Sequence, residues 1–228
     1  MVATVSADEL KQHNIKYWND LISHKFVLEM ADDSLPIEKF VFYLRQDHIF
    51  LKEFCAFLLI AKQKSGDQKL RIWFENLYRS TIDSEMHMQR ELLLSLGISN
   101  IDNNATIAIA IAPATLNYIS FLRQISSSST KNLEVIVSAM APCPWSYLEI
   151  AQKLSKSDSK TDVYCKWIQF YSSKESQQQI KELKNILSRL YDQANESTKR
   201  LMKEHFGVAC KYEYDFWEMS YKNVETKH

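Results

Sequence analysis

Three glycines, Gly66, Gly97 and Gly207, are all that 228 residues contain, and this shortage limits the fold more than any other feature. Sheet-rich chains need glycine at tight turns that demand positive φ, and phosphate-cradling loops need several glycines close together. Glycines isolated by tens of residues build neither. Apolar residues meanwhile recur at helical spacing almost throughout. The sequence therefore predicts an all-α chain and excludes the usual nucleotide-binding α/β enzymes.

The breakers place the elements. Ser6 and Glu9 have capping-box spacing and open a first helix to about Met30. Pro36 fits the first turn of a second helix that reaches Lys64. A third runs from Asp67 to Leu96 and stops at Gly97, a C′ residue. Residues 99–106 are polar and predict a loop. A fourth helix follows Pro113 and ends in the serines at 126–129. The fifth, Lys131 to Lys156, is interrupted at Pro142 and Pro144. A short helix from Thr161 carries Trp167. Ser172 and Glu175 repeat the capping spacing before a helix to Gln193, and the last spans Ser197 to Tyr221. No repeat or long linker divides the chain, so one domain over residues 1–228 is expected.

Charge and cysteine usage narrow the function classes. Lys plus Arg equal Asp plus Glu at 28 each, so no global field draws in nucleic acid or an acidic membrane. The opening segment has no apolar signal core, and no apolar run approaches a membrane span. Cys55, Cys143, Cys165 and Cys210 lack zinc-type spacing. Free thiols, a cytoplasmic location, and no metal or cofactor are expected.

Three reactive residues lie on apolar stripes of different helices. Tyr43, Asp47, Phe50 and Phe54 share one face of the second helix. Glu213 stands at the centre of a stripe with Met202, Phe206, Ala209, Phe216 and Ser220. Burial there raises its pKa and suits it to carrying protons at neutral pH. Taken singly, either acid is equally a structural residue hydrogen-bonded to a neighbouring helix. Cys143 differs from the other cysteines because prolines flank it. Residues before proline, here Ala141 and Cys143, avoid the α region. If the helix restarts at this point, Cys143 sits near an N-terminus, where free N–H groups and the helix dipole favour thiolate. Two acids and such a thiol on three helices suggest one shared site.

Four segments carry a family resemblance. Tyr43-Leu-Arg-Gln-Asp47, within the segment from Phe42 to Leu51, resembles an F-x-x-Y-L-x-Q-D helix. Pro142-Cys143-Pro-Trp145-Ser-Tyr147-Leu-Glu149 resembles P-C-x-W-x-Y-x-E. The segment from Tyr164 through Trp167 to Tyr171 resembles Y-x-x-W-I-x-x-Y, and Tyr212-Glu213 through Phe216-Trp217 to Met219 resembles Y-E-x-x-F-W-x-M. In this order, across about Trp18 to Tyr221, they resemble the thiaminase II (TenA) family of aminopyrimidine aminohydrolases.

The resemblance implies a heme-oxygenase-like helical bundle without heme, assembled as a homotetramer or homodimer. It implies release of the amine from 4-amino-5-aminomethyl-2-methylpyrimidine, giving hydroxymethylpyrimidine for thiamin salvage, or cleavage of thiamin itself. The family's nucleophile falls on Cys143, its proton-carrying glutamate on Glu213, and its ring-binding aspartate on Asp47. Aromatic pocket positions fall on Tyr118, Tyr147, Tyr171 and Phe216. The position commonly held by tyrosine is Phe50, which removes a hydroxyl from the expected substrate pocket. Two other readings compete. A di-iron carboxylate oxidase needs two Glu-x-x-His pairs on inward helix faces, and the sequence has a single such spacing, Glu225 to His228. A non-catalytic pyrimidine-binding protein would have no need of all three reactive residues.

Overall fold

The computed structural model describes residues 5–98, 110–128, 132–157 and 159–222, and among them every regular element is helical. In chain order these are α1 (Val5–His13), α2 (Ile15–Ile22), α3 (Lys25–Ala31), α4 (Ile37–Lys64) and α5 (Gln68–Ser80). A π-helical turn, Thr81–Glu85, leads into α6 (Met86–Ser95). Then come α7 (Pro113–Ser127), α8 (Leu133–Met140), α9 (Pro142–Leu154), α10 (Asp162–Tyr171), α11 (Lys174–Gln193) and α12 (Glu196–Lys222). None of the helices described is long and apolar enough to cross a membrane.

The long α12 is the axis of the bundle, packed against α2, α3, α4, α7, α8 and α9. At 1.5 Å per residue its 27 residues span about 40 Å. It carries the fully buried Met202, Phe206, Ala209, Cys210 and Trp217. α4 lies beside it between α5 and α7, and α10 rests on α9 and α6. The expected loop at 99–106 falls outside the described residues.

Several expected boundaries hold and several shift, for local reasons. Gly97 has φ 78°; its N–H bonds Leu94 O while that of Ile98 bonds Leu93 O, the paired pattern that closes a helix on a left-handed residue. The expected first helix is three helices. Ser6 does not cap it; its hydroxyl donates to Asp192, and Glu9 accepts from Tyr191. The chain breaks where tertiary hydrogen bonds outbid helix continuity. The Asn14 side chain donates to Leu10 O and Lys203 O, and the His24 ring accepts from Phe26 N–H while engaging Glu218. Pro36 is the residue preceding α4 rather than part of its first turn, and Ser173, not Ser172, caps α11 by accepting from Ser176 N–H.

Gly207 is a packing glycine. A Cβ built there would stand 2.2 Å from Asn14 Oδ1, so α12 approaches the α1–α2 junction only because the side chain is absent. Alanine in a helix is favoured over glycine by about 1 kcal/mol, but overpacking costs about 1–3 kcal/mol. Gly207→Ala is therefore expected to lower the unfolding free energy by about 1 kcal/mol in urea titrations. The added loss should shrink in the Asn14→Ala background; equal losses in both backgrounds would show that this contact is not the cause.

Candidate active site

The proline-flanked cysteine sits at a helix restart. α8 ends at Met140, Ala141 bridges, and α9 begins with Pro142 as its first residue. The break is single: Pro144 lies within the first turn of α9, where a missing N–H removes no helical bond. Ala141 also departs from expectation, with φ −61° and ψ −38° in the α region. Trp145 N–H still reaches Ala141 O at 3.3 Å, so the two helices continue nearly in line despite the prolines. Glu149 pins α9 in place by accepting from Lys11, Trp18 Nε1 and Trp145 Nε1.

Cys143 and the two expected acids meet. The Cys143 thiol lies close enough to the Glu213 carboxylate for each to shift the other's ionisation, and that carboxylate accepts from Tyr118 Oη at 2.7 Å. Asp47 is buried on α4, its Oδ2 accepting from Gln89 Nε2 at 2.6 Å and from Tyr43 Oη at 3.3 Å. Trp167 Nε1 in turn donates to Tyr43 Oη. Aromatic rings enclose the group: Tyr147 packs on Tyr171 at 5.0 Å and on Trp217 at 5.3 Å, and Phe50 packs on Tyr118 at 4.7 Å. Phe216 meets both Phe50 and Tyr43 edge to face.

A recess opens onto this cluster through Cys143, Tyr147 and Tyr171. Asp47, Phe50, Tyr118, Glu213 and Phe216 are buried behind Cys143 and Tyr147 and do not line the recess. The spacing along α4 and α12 turns Asp47 and Glu213 inward, three or four residues from aromatic neighbours on the same face.

The electrostatics differ from the sequence-based expectation in one important respect. The N-terminus of α9 was expected to favour a Cys143 thiolate. Instead the Cys143 pKa is pushed well above the ordinary thiol range, first by burial and then by Glu213, Glu85 and Asp47. A helix N-terminus supplies about half a positive charge, too little against desolvation and three nearby acids. The resting sulfur is a neutral thiol. Burial also raises Glu213 to about 7, against the opposing effect of the Tyr118 hydrogen bond and the neighbouring Cys143 thiol. Burial raises the Asp47 pKa well above its ordinary value, with Glu85 and Glu213 adding to the effect.

Two site residues escape detection in the sequence. Glu85 borders the recess, accepts from Tyr171 Oη at 2.7 Å, and has its pKa raised by burial to about 7. Gln89 is fully buried with its Oε1 unpartnered. The signal was faint: two polar residues four apart that turn inward beside Met86, Leu92 and Leu93. Among the described residues no group of three or more His, Cys, Asp or Glu is arranged to hold a metal ion.

Known proteins share this sequence and shape. The chain is 29% identical to the aminopyrimidine aminohydrolase of Bacillus subtilis (strain 168), over 95% of this chain and 89% of that protein. It is 30% identical to the aminopyrimidine aminohydrolase of Helicobacter pylori, over 94% and 97%. Among solved structures, a TenA homologue from P. horikoshii OT3 superposes with a TM-score of 0.84 at 25% identity, covering 97% of this chain and 99% of that one. A domain of unknown function with a heme oxygenase-like fold, from Shewanella denitrificans OS217, gives 0.73 at 13% identity over 94% and 91%. The all-helical, heme-oxygenase-like architecture is thereby shown. The TENA/THI-4/PQQC family model matches residues 11–223, and the chain belongs to that family.

Proposed function

We propose that this protein is an aminopyrimidine aminohydrolase that releases the amine from a 5-aminomethyl-4-aminopyrimidine, with Cys143 as nucleophile and Glu213 as proton carrier. The observation that carries the reading is the buried Glu213 carboxyl, held by Tyr118 and coupled electrostatically to Cys143, in a chain whose Bacillus subtilis and Helicobacter pylori relatives bear that name.

The chemistry rests on these groups. An amine on a ring-attached methylene leaves poorly until electrons are pushed into the ring system. Glu213 takes the Cys143 proton, and the thiolate adds to the ring carbon beside the one bearing the methylene. Asp47 hydrogen-bonds the aminopyrimidine ring and supports the charge that addition develops there. The amine, where it enters protonated, first sheds that proton to water; collapse of the electron pair then expels the nitrogen, which takes up the proton held by Glu213 and leaves as ammonia. Water then adds to the exocyclic methylene while Glu213 removes its proton. Loss of the sulfur restores the aromatic ring, and the thiolate recovers its proton from Glu213.

Tyr147, Tyr171 and Phe216 supply faces for a flat ring, each aromatic pairing contributing roughly 0.5–1.5 kcal/mol beyond area. Tyr118 holds Glu213 in place. Phe50 packs against Tyr118 without offering a hydroxyl, and its contribution would be to the apolar wall. Thiamin, which carries the same pyrimidine methylene, is the second substrate of this proposal. A homotetrameric or homodimeric assembly in the cytoplasm is also part of it.

Steady-state assays of ammonia release from the aminomethylpyrimidine and of thiazole release from thiamin test the function together. Turnover of the former is expected. Absence of product from both substrates, with the pyrimidine still bound, would favour a non-catalytic binding protein.

A further inference from the structure

Glu85 has no part in the proposed catalytic steps, yet it borders the open recess beside Cys143, Tyr147 and Tyr171. Tyr171 occupies its Oε1, and among the described residues no hydrogen bond engages Oε2. The π turn at Thr81–Glu85 holds this side chain at the recess; such turns insert a residue into a helix and re-aim the side chains beyond it. Among the described residues no lysine, arginine or histidine lines the recess. The groups that act electrostatically with Glu85 are Tyr171 from α10, Cys143 from α9, Tyr43, Asp47 and Cys55 from α4, and Glu213 from α12. Each is neutral or acidic.

Glu85 at the recess, and Asp47 and Glu213 buried behind it, act on one another electrostatically and cannot all ionise freely. A positive guest removes that conflict, because each negative charge it meets is otherwise uncompensated. We infer that Glu85 is a specificity-determining residue that, with Asp47 and Glu213, makes the recess select pyrimidines bearing a protonated amine over the neutral alcohol that hydrolysis leaves. The inference rests on the aminopyrimidine reading of the site and extends it. Hydrolysis then abolishes the feature that was recognised, since the nitrogen that carried the positive charge departs, and the product is held less tightly than the substrate.

Glu85→Gln tests this, because the amide oxygen still accepts from Tyr171 while the charge is lost. At about pH 8 the KM for the aminomethylpyrimidine is expected to rise about 10- to 100-fold, with kcat changed less than about threefold. Affinity for the neutral hydroxymethylpyrimidine, measured by calorimetry, should stay within about twofold. Glu85→Asp should recover part of the loss. In the wild-type protein the KM for the cation is expected to fall as pH rises through about 7, where Glu85 ionises, and this fall should be shallower in Glu85→Gln, where only Glu213 still titrates in that range. Equal weakening of cation and neutral alcohol would assign Glu85 a packing role and overturn the inference, as would an unchanged KM. Wild-type protein that releases no amine would overturn the functional reading and this inference with it. Active wild type with a normal Glu85→Gln variant would overturn this inference alone.

Discussion

Replacing Cys143 with alanine is expected to lower amine release by about 10⁴-fold or more, the scale on which removal of a nucleophile acts, while the protein stays folded. The structural cost is small. Cys143 is only partly buried, and it occupies the first turn of α9, whose position is fixed by Glu149 and the tryptophans rather than by the sulfur. Loss of one small, partly exposed side chain of this kind costs about 1 kcal/mol or less. Circular dichroism and thermal melting should therefore match the wild type, and pyrimidine binding should persist. Cys143→Ser should be nearly as inactive, because a hydroxyl next to a glutamate with a pKa near 7 is far harder to deprotonate than a thiol. A rate for either variant within about tenfold of wild type would remove Cys143 from the mechanism.

The neutral resting thiol gives this result a second edge. Had the N-terminus of α9 stabilised a thiolate, alkylating reagents would capture Cys143 quickly at pH 7. With burial and three acids holding the proton on sulfur, reaction with iodoacetamide should be slow until a base removes it. Sulfur activation belongs to the pairing with Glu213, not to the helix dipole.

How far the sequence foretold this site depends on which helices carry it. α4 and α12 are long, so a 3.6-residue period turned Asp47 and Glu213 to their observed faces, while Tyr118 and Tyr171 were indicated by the family resemblance alone. Convergence of the three reactive residues followed from the same periodicity and the motif order. The sequence could not disclose the π turn. Nothing in Thr81-Ile-Asp-Ser-Glu85 distinguishes five residues of wider helix from five of ordinary helix, because the difference lies in the packing of α5 and α6 against α4. Glu85 and Gln89, at the end of that turn and just beyond it, were therefore invisible as site residues. The breaks at Asn14 and His24 were hidden for a related reason: their partners, Lys203 and Glu218, are about two hundred residues away. Local pattern reports local preference, and tertiary hydrogen bonds overrule it.

Glu213→Gln separates catalysis from stability because the two should move in opposite directions. The amide keeps an oxygen for Tyr118, so the geometry survives, but it can neither take the thiol proton nor return one. The rate should fall by roughly 10²–10⁴, the span of general acid–base catalysis. In the wild-type protein the resting carboxylate is the form that accepts the thiol proton, so kcat/KM should rise with pH through about 7; the residual rate of the variant should lack that limb.

Stability has the opposite sign. The folded-state pKa, about 7, is raised above the ordinary 4.5, so the native state binds the Glu213 proton more tightly than the unfolded chain. Its contribution is most favourable below about pH 4.5 and is lost as pH rises through 7. At 1.36 kcal/mol per unit the loss amounts to at most about 3 kcal/mol. Glutamine carries no proton to lose, and above pH 7 the variant should melt higher than wild type. A slower and more stable variant fits an acid held in a strained ionisation state for its chemistry. A slower and less stable one would instead make Glu213 a structural keystone whose loss disturbs the pocket, and the proton role would pass to another acid.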